Sequence, residues 1–250
     1  MADNENEYDH IVIGGGSSGC VVAARLVSEG GRRVLLLEAG YSHRHPLLDM
    51  PPGIFKLING SKYMTYHQTV PQPHLENRIH DIPQGNVLGG GSSVNAQCYI
   101  RGRPSDYDEW DRVVRGSNDG ADWTWDTVLK HFTRMENNNR LQNHLHGVEG
   151  PLLVSDPGHV DAISRWFVQT VQEKGEPFNH DFNGESQRGV GFYQFMNRSG
   201  KRSSAAYAYL APLAKDSRIT VKLHSKVSKI NIESGLARSV TYVDKAGAQK

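Results

Sequence analysis

The chain has 250 residues, with 28 Lys and Arg against 27 Asp and Glu, a net charge of +1 and a pI of about 7.9. That balance gives no electrostatic footprint for nucleic acid or for an anionic membrane surface. The length suffices for one large or two ordinary domains with a real core, and no apolar run approaches membrane-spanning length.

The N-terminal stretch MADNENEYDH is polar and acidic, the wrong chemistry for a signal or transit peptide. Only two cysteines occur, Cys20 and Cys98, too few for a disulfide framework. A soluble, cytoplasmic protein is therefore expected.

Residues 8–40 carry the first informative pattern. A short apolar run, Ile11-Val12-Ile13, reads as one buried strand of a parallel sheet. Gly14, Gly16 and Gly19 follow at G-x-G-x-x-G spacing, then a helix pattern through Val21, Val22, Ala24 and Leu26 to a C-cap at Gly30. A second buried strand over 34–37 ends in Glu38. Each part of this βαβ unit has a physical task. Gly14 permits the tight turn, Gly16 lets backbone approach a pyrophosphate, and Gly19 lets helix and strand pack closely. The amides of the helix start, including Ser17 and Ser18, face the phosphates. Glu38, roughly 20 residues beyond the glycines, can accept from ribose hydroxyls. The unit predicts dinucleotide binding.

Between 41 and 81 prolines and glycines interrupt any period, which predicts an extended excursion with little regular structure. His43, His45, His67, His74 and His80 lack metal-ligand spacing, so solvated or structural roles are expected and no metal. A second informative stretch follows at 83–110. Gly89-Gly90-Gly91 precede Ser92, Ser93, Val94 and Asn95, a backbone loop that something approaches closely. Its apolar flanks, Val87-Leu88 and Cys98-Tyr99-Ile100, anchor it in a core. Ser105-x-x-Asp108 matches a capping box opening a helix with Tyr107 and Trp110.

Taken together, the 14–19 glycines with LLLEAG, then Gly85-Asn86-x-Leu88-Gly89-Gly90-Gly91-Ser92-x-Val94-Asn95, then Tyr99, Gly102 and Asp108, resemble the glucose-methanol-choline flavin oxidoreductases. Segments around Pro71, Asp106, 123–132, 189–194 and 202–212 also look like family segments in family order. The resemblance implies that Gly14, Gly16, Ser17, Ser18, Gly19, Glu38 and Ala39 hold the ADP half of FAD. It places the loop from Val87 through Gly90, Ser92 and Asn95, with Ala96 and Gln97, along the riboflavin and pyrophosphate, and the Val227 backbone at the adenine. Members with covalent FAD carry a histidine at the position of Val94. Valine cannot make that bond, so dissociable, non-covalent FAD is expected.

Further along, 123–135 reads as a helix with Val128, Leu129, Phe132 and Met135 on one face and Thr124 as N-cap. The polar stretch 137–150, with His144-Leu145-His146, reads as a solvated loop tip, and 150–155 as a strand. Asp161 caps a helix over 162–174 with Gly175 at its end, and the spacing of Ile163, Trp166, Phe167 and Val171 assigns them to a core. A strand is expected over 189–194, a helix from 202 to 214 capped by Ser203 or Ser204, and strands over 219–223, 227–232 and 239–243. The last six residues are turn-like, with no returning strand.

The expected architecture is α/β, a Rossmann-like three-layer FAD-binding domain with part of a β-sheet-based substrate domain. The expected boundaries are 1–155 for the first part of the FAD domain, 156–215 for the substrate part and 216–250 for the return. No histidine sits in a motif matching the family's late catalytic His–His or His–Asn segment, so no catalytic base is assigned. The chain is expected to be the N-terminal part of a longer enzyme, a chain completed by a second polypeptide, or a non-catalytic flavin binder. The leading function is FAD-dependent oxidation of an alcohol, with hydride transfer to flavin N5 and oxygen or another acceptor. A flavin-containing hydroxynitrile lyase is the alternative on the same fold. A nicotinamide dehydrogenase would leave 85–108 unexplained.

Overall fold

The computed structural model describes residues 7–117, 120 and 122–250. The chain divides into two compact units, 1–96 with 202–250, and 97–201. The breaks fall at 96/97 and 201/202 rather than at the expected 155/156 and 215/216. The reason is strand pairing: Cys98–Tyr99 pairs with Gln194–Phe195, and Glu136–Asn138 with Leu152–Val154, which closes the middle of the chain on itself.

In the first unit, strand β1 (His10–Ile13), helix α1 (Ser17–Ser28) and strand β2 (Val34–Leu37) form the expected βαβ unit. Both β1 and the strand Ile219–Lys222 run parallel to β2, in registers that set Val34 opposite His10 and Ile219. The central strand is the one completely buried, and VLLL is apolar on both faces for that reason. β1 differs from expectation: among the described residues it pairs with β2 alone, and Ile13 is 46% exposed. α1 covers one sheet face through Cys20, Ala23, Ala24 and Val27, packed with Val34, Leu36, Leu88, Ala205, Ala206 and Leu210. Small side chains on α1 allow the close approach. The helix ends at a Glu29 C-cap, and the left-handed position is Gly31 rather than Gly30, with φ +61°.

The excursion after β2 is more regular than its prolines suggest. It contains short helices at Pro46–Asp49 and Ile54–Leu57 and an antiparallel pair, Met64–Gln68 with Asp81–Gly85. Leu48, Leu57, Tyr63, Val87 and Val94 form its apolar cluster. Proline served as a helix opener here, at the first turn of Pro46–Asp49, rather than as a breaker. The expected helix from 202 to 214 is instead a π turn at Ala206–Leu210 followed by a 3₁₀ turn, with Ser204 Oγ accepting from Tyr207 N. The hairpin Lys226–Glu233 with Leu236–Val243 turns at Ser234 and Gly235, both at positive φ. The terminus does return, as a bridge from Gln249 to Val243.

The second unit holds helices Pro104–Ser117, Trp125–Met135 and Ala162–Glu173 and a small apolar cluster of Tyr99, Leu152 and Val154, against which Met135 and Met196 pack. Several local expectations change. The first helix is opened by Pro104, with Asp106 accepting from Arg103 N, so the Ser105–Asp108 box does not form. Thr124 and Asp161 occupy N-cap positions without side-chain cap bonds. Of 189–194 only Gln194 is strand, the first residue of Gln194–Phe195. Within the unit Ile163, Trp166 and Phe167 are 65–72% exposed, so the helical period marked an apolar face but not a core.

Candidate cofactor cradle and a buried ionic network

The glycine-rich turn between β1 and α1 separates three tasks by geometry. Gly14 stands at φ +90°, closed to L side chains, and donates to Leu37 O at 2.8 Å. A Cβ on Gly19 would lie 1.9 Å from Gly14 O, so helix and strand meet backbone to backbone. A Cβ on Gly16, in contrast, would meet nothing within 4 Å. That cleared space lies at the N-cap of α1, which has no side-chain cap bond and no acid in the first turn. Amides there have no intrahelical acceptors and sit at the positive end of the helix dipole. Ser17 and Ser18 are exposed beside it. Backbone donors, positive potential and absence of Cβ atoms together fit a pyrophosphate.

The second glycine loop is placed on the first. Gly89 N donates to Gly15 O at 2.6 Å, and a Cβ on Gly90 would lie 2.8 Å from Gly16 Cα. Gly15 would clash with Leu88 Cδ1 in the same way, at 2.5 Å. Tyr41 ties the loop to the end of β2, donating to Asn86 O at 3.1 Å and accepting from Leu88 N at 2.8 Å. Nothing in the sequence singled out Tyr41, since the hydrogen bonds it makes to the loop are backbone ones. Within the loop Ser92 Oγ donates to Gly89 O at 2.6 Å and accepts from Ala205 N at 2.9 Å.

Glu38 is buried, and both its oxygens brace the turn: Oε2 accepts from Gly15 N at 2.6 Å and Oε1 from Gly40 N at 2.7 Å. Each oxygen retains a second lone pair, so a ribose hydroxyl could still donate to it. Ser225 N donates to Glu38 O, which brings the start of the 226–243 hairpin, and with it Val227, to the end of β2. The structure thus places Gly14, Gly16, Ser17, Ser18, Gly19, Glu38, Ala39, Val87, Gly90, Ser92, Asn95, Ala96 and Val227 in one unit. Gln97 falls in the other, where it is buried and its Oε1 accepts from Asn197 Nδ2 at 3.2 Å. Cys20 Sγ donates to Gly15 O, and burial pushes its thiol up to about 12, so it is no nucleophile at neutral pH.

The second unit contains a network that the sequence did not reveal. His146, expected on a solvated loop tip, has a fully buried side chain. Its Nδ1 lies 2.9 Å from Glu136 Oε1 and its Nε2 3.0 Å from Asp181 Oδ2. Two carboxylates facing both ring nitrogens require both to carry protons. Burial works against that charge, but the hydrogen bonds to Asp181 and Glu136 outweigh it and raise the pKa to about 9. For Asp181, burial is likewise outweighed by the bond from His146, and its pKa is lowered. Glu136 also receives Arg101 Nη2 at 2.6 Å and Asn138 Nδ2 at 2.7 Å. Arg101 Nη1 donates to Leu145 O at 2.6 Å. Only the order of these groups along 101–181 is visible in sequence, and nothing in it announces their convergence.

Among the described residues no cluster of His, Cys, Asp or Glu could hold a metal ion, and no helix is long and apolar enough to cross a membrane.

Comparison with known proteins bears on the cradle. The family model described as GMC oxidoreductase matches residues 8–250. An "Alcohol dehydrogenase [acceptor]" of Pseudomonas putida is 40% identical over 95% of this chain and 42% of its own length. The crystal structure of pyridoxine 4-oxidase from Mesorbium loti superposes with TM-score 0.86 at 30% identity, over 97% of this chain and 47% of that one. An FAD-dependent oxidoreductase from Chaetomium thermophilum gives TM-score 0.86 at 26% identity, over 98% and 43%. The chain therefore spans less than half the length of each of these relatives.

Proposed function

The chain belongs to the GMC oxidoreductase family, and on that premise we propose that it supplies the FAD-holding part of an enzyme that oxidises the CH–OH group of an alcohol. The observation that carries this reading is the space in front of Gly16, kept clear of any Cβ at the uncapped start of α1. Gly14, Gly16, Ser17, Ser18 and Gly19 would hold the pyrophosphate side, and Glu38, Ala39 and Val227 the adenosine side. The loop from Val87 to Ala96 would lie along the riboflavin.

The flavin's chemistry is acceptance, at N5, of the hydride leaving the carbinol carbon. This chain's contribution is to bind and orient. The cofactor is proposed to be dissociable. Val94 offers no nucleophilic atom, and its side chain is packed among Leu48, Leu57, Tyr63 and Val87.

Anaerobic mixing of the complete enzyme with primary alcohols tests the reading. Bleaching of the oxidised-flavin absorption is expected, and a spectrum that never changes across a series of alcohols would refute it.

A further inference from the structure

The sequence pattern gives 202–214 as a helix, yet its first residue is a buried cation. Arg202 is 4% exposed. Nε donates to Leu48 O at 2.9 Å, and Nη1 donates to Asn95 O and Asn95 Oδ1, each at 2.8 Å, and to Ser92 O at 3.2 Å. Among the described residues no carboxylate is ion-paired with it, and Nη2 is buried without a partner. Burial lowers its pKa to about 10, with Asp49 opposing from a distance, so the side chain remains charged at neutral pH. A buried guanidinium without a carboxylate is costly and needs a reason.

The reason lies in what it grips. The loop turns through Gly89 and Gly90 at positive φ and then through a 3₁₀ turn; backbone bonds tie its start to Gly15 and Tyr41 and join Asn95 N to Gly91 O, while the carbonyls of Ser92 and Asn95 are held by Arg202. Arg202 draws two loop carbonyls to one planar fork and ties them to the carbonyl of Leu48 in the preceding excursion. A guanidinium only donates, so the Asn95 atom facing it must be the oxygen, which fixes the orientation of that amide.

We propose that Arg202 is a positioning residue for the flavin-facing loop, turning the carbonyls of Ser92 and Asn95 inward so that the loop presents a preset surface to the isoalloxazine. This rests on the reading of 87–96 as the flavin loop. Preorganisation of this kind lowers the ordering cost at binding.

The test compares Arg202→Lys and Arg202→Gln with the wild type in the full chain, by amide hydrogen exchange, FAD titration and the absorption envelope of bound flavin. Lysine retains the charge but cannot reach Leu48, Ser92 and Asn95 together. Both variants are expected to lose protection at 90–96 while 34–37 keeps theirs. FAD affinity should fall about tenfold or more, as for loss of charged hydrogen bonds, with a shifted flavin envelope. Unchanged exchange at 90–96 in both variants would overturn the proposal. So would protection lost equally at 34–37, since that marks a merely structural role. A wild-type chain that takes up no FAD would instead refute the flavin reading, while the exchange pattern still judges Arg202's hold on the loop.

Discussion

In the first unit the candidate site is built of backbone: Gly14, Gly16 and Gly19 matter through atoms they lack, and even Glu38 is used to brace the amides of Gly15 and Gly40. In the second unit the most constrained region is built of side chains, with Arg101, Glu136, His146 and Asp181 linked by buried bonds of 2.6–3.0 Å. The first arrangement keeps a space open for a ligand of opposite charge. The second pairs its charges with one another, and among its polar atoms Arg101 Nε is buried without a partner. Burial of polar groups alone therefore does not mark a binding site; donors aimed at cleared space do.

The contrast can be broken most severely at Glu136. Glu136→Ala removes the carboxylate shared by Arg101 and His146, which strands the buried Arg101 cation and leaves His146 with Asp181 alone. A loss of about 3–5 kcal/mol is expected in chemical denaturation. Gly19→Ala comes next, since its Cβ would meet Gly14 O in the backbone, which cannot move independently of β1. About 1–3 kcal/mol of destabilisation is expected from such overpacking, with FAD binding lost in parallel.

A milder effect follows from pH. His146 has a folded-state pKa of about 9 against an ordinary 6.5, so its contribution is complete below about 6.5. It declines as pH rises and is lost through about 9, because the unfolded chain releases this proton first. Denaturation midpoints measured across pH 6 to 10 should fall in the wild type, and His146→Gln should flatten that part of the profile. Gly16→Ala should have the smallest effect on stability, within about 1 kcal/mol, because its Cβ meets nothing. Weakened FAD binding with an unchanged melting curve would sharpen the distinction between cradle and scaffold. Equal loss in both would erase it.

The cradle was legible because its determinants are local. Glycines at fixed spacing, an apolar quartet at 34–37 and an acid at 38 lie within one βαβ unit, and turn chemistry at that range is written residue by residue. The network was illegible because Arg101, Glu136, His146 and Asp181 are separated by up to 80 positions and join only when Cys98–Tyr99 and Glu136–Asn138 find their partner strands. His146 reads as polar loop precisely where polarity is what the interior requires. The apolar stripe of Ala162–Glu173 misled in the opposite direction: its period fixed which face is apolar, while exposure depends on what packs against it. Arg202 belongs to the same class as His146, since a lone arginine ahead of two serines carries no sign of the three carbonyls it will hold.

The most direct measurement is the visible absorption spectrum of the purified protein, repeated on the supernatant after acid precipitation. A dissociable flavin in the glycine cradle predicts oxidised-flavin bands that move into the supernatant. Bands that remain with the pellet would contradict the argument from Val94, and a colourless protein that also fails to take up added FAD would contradict the cradle itself.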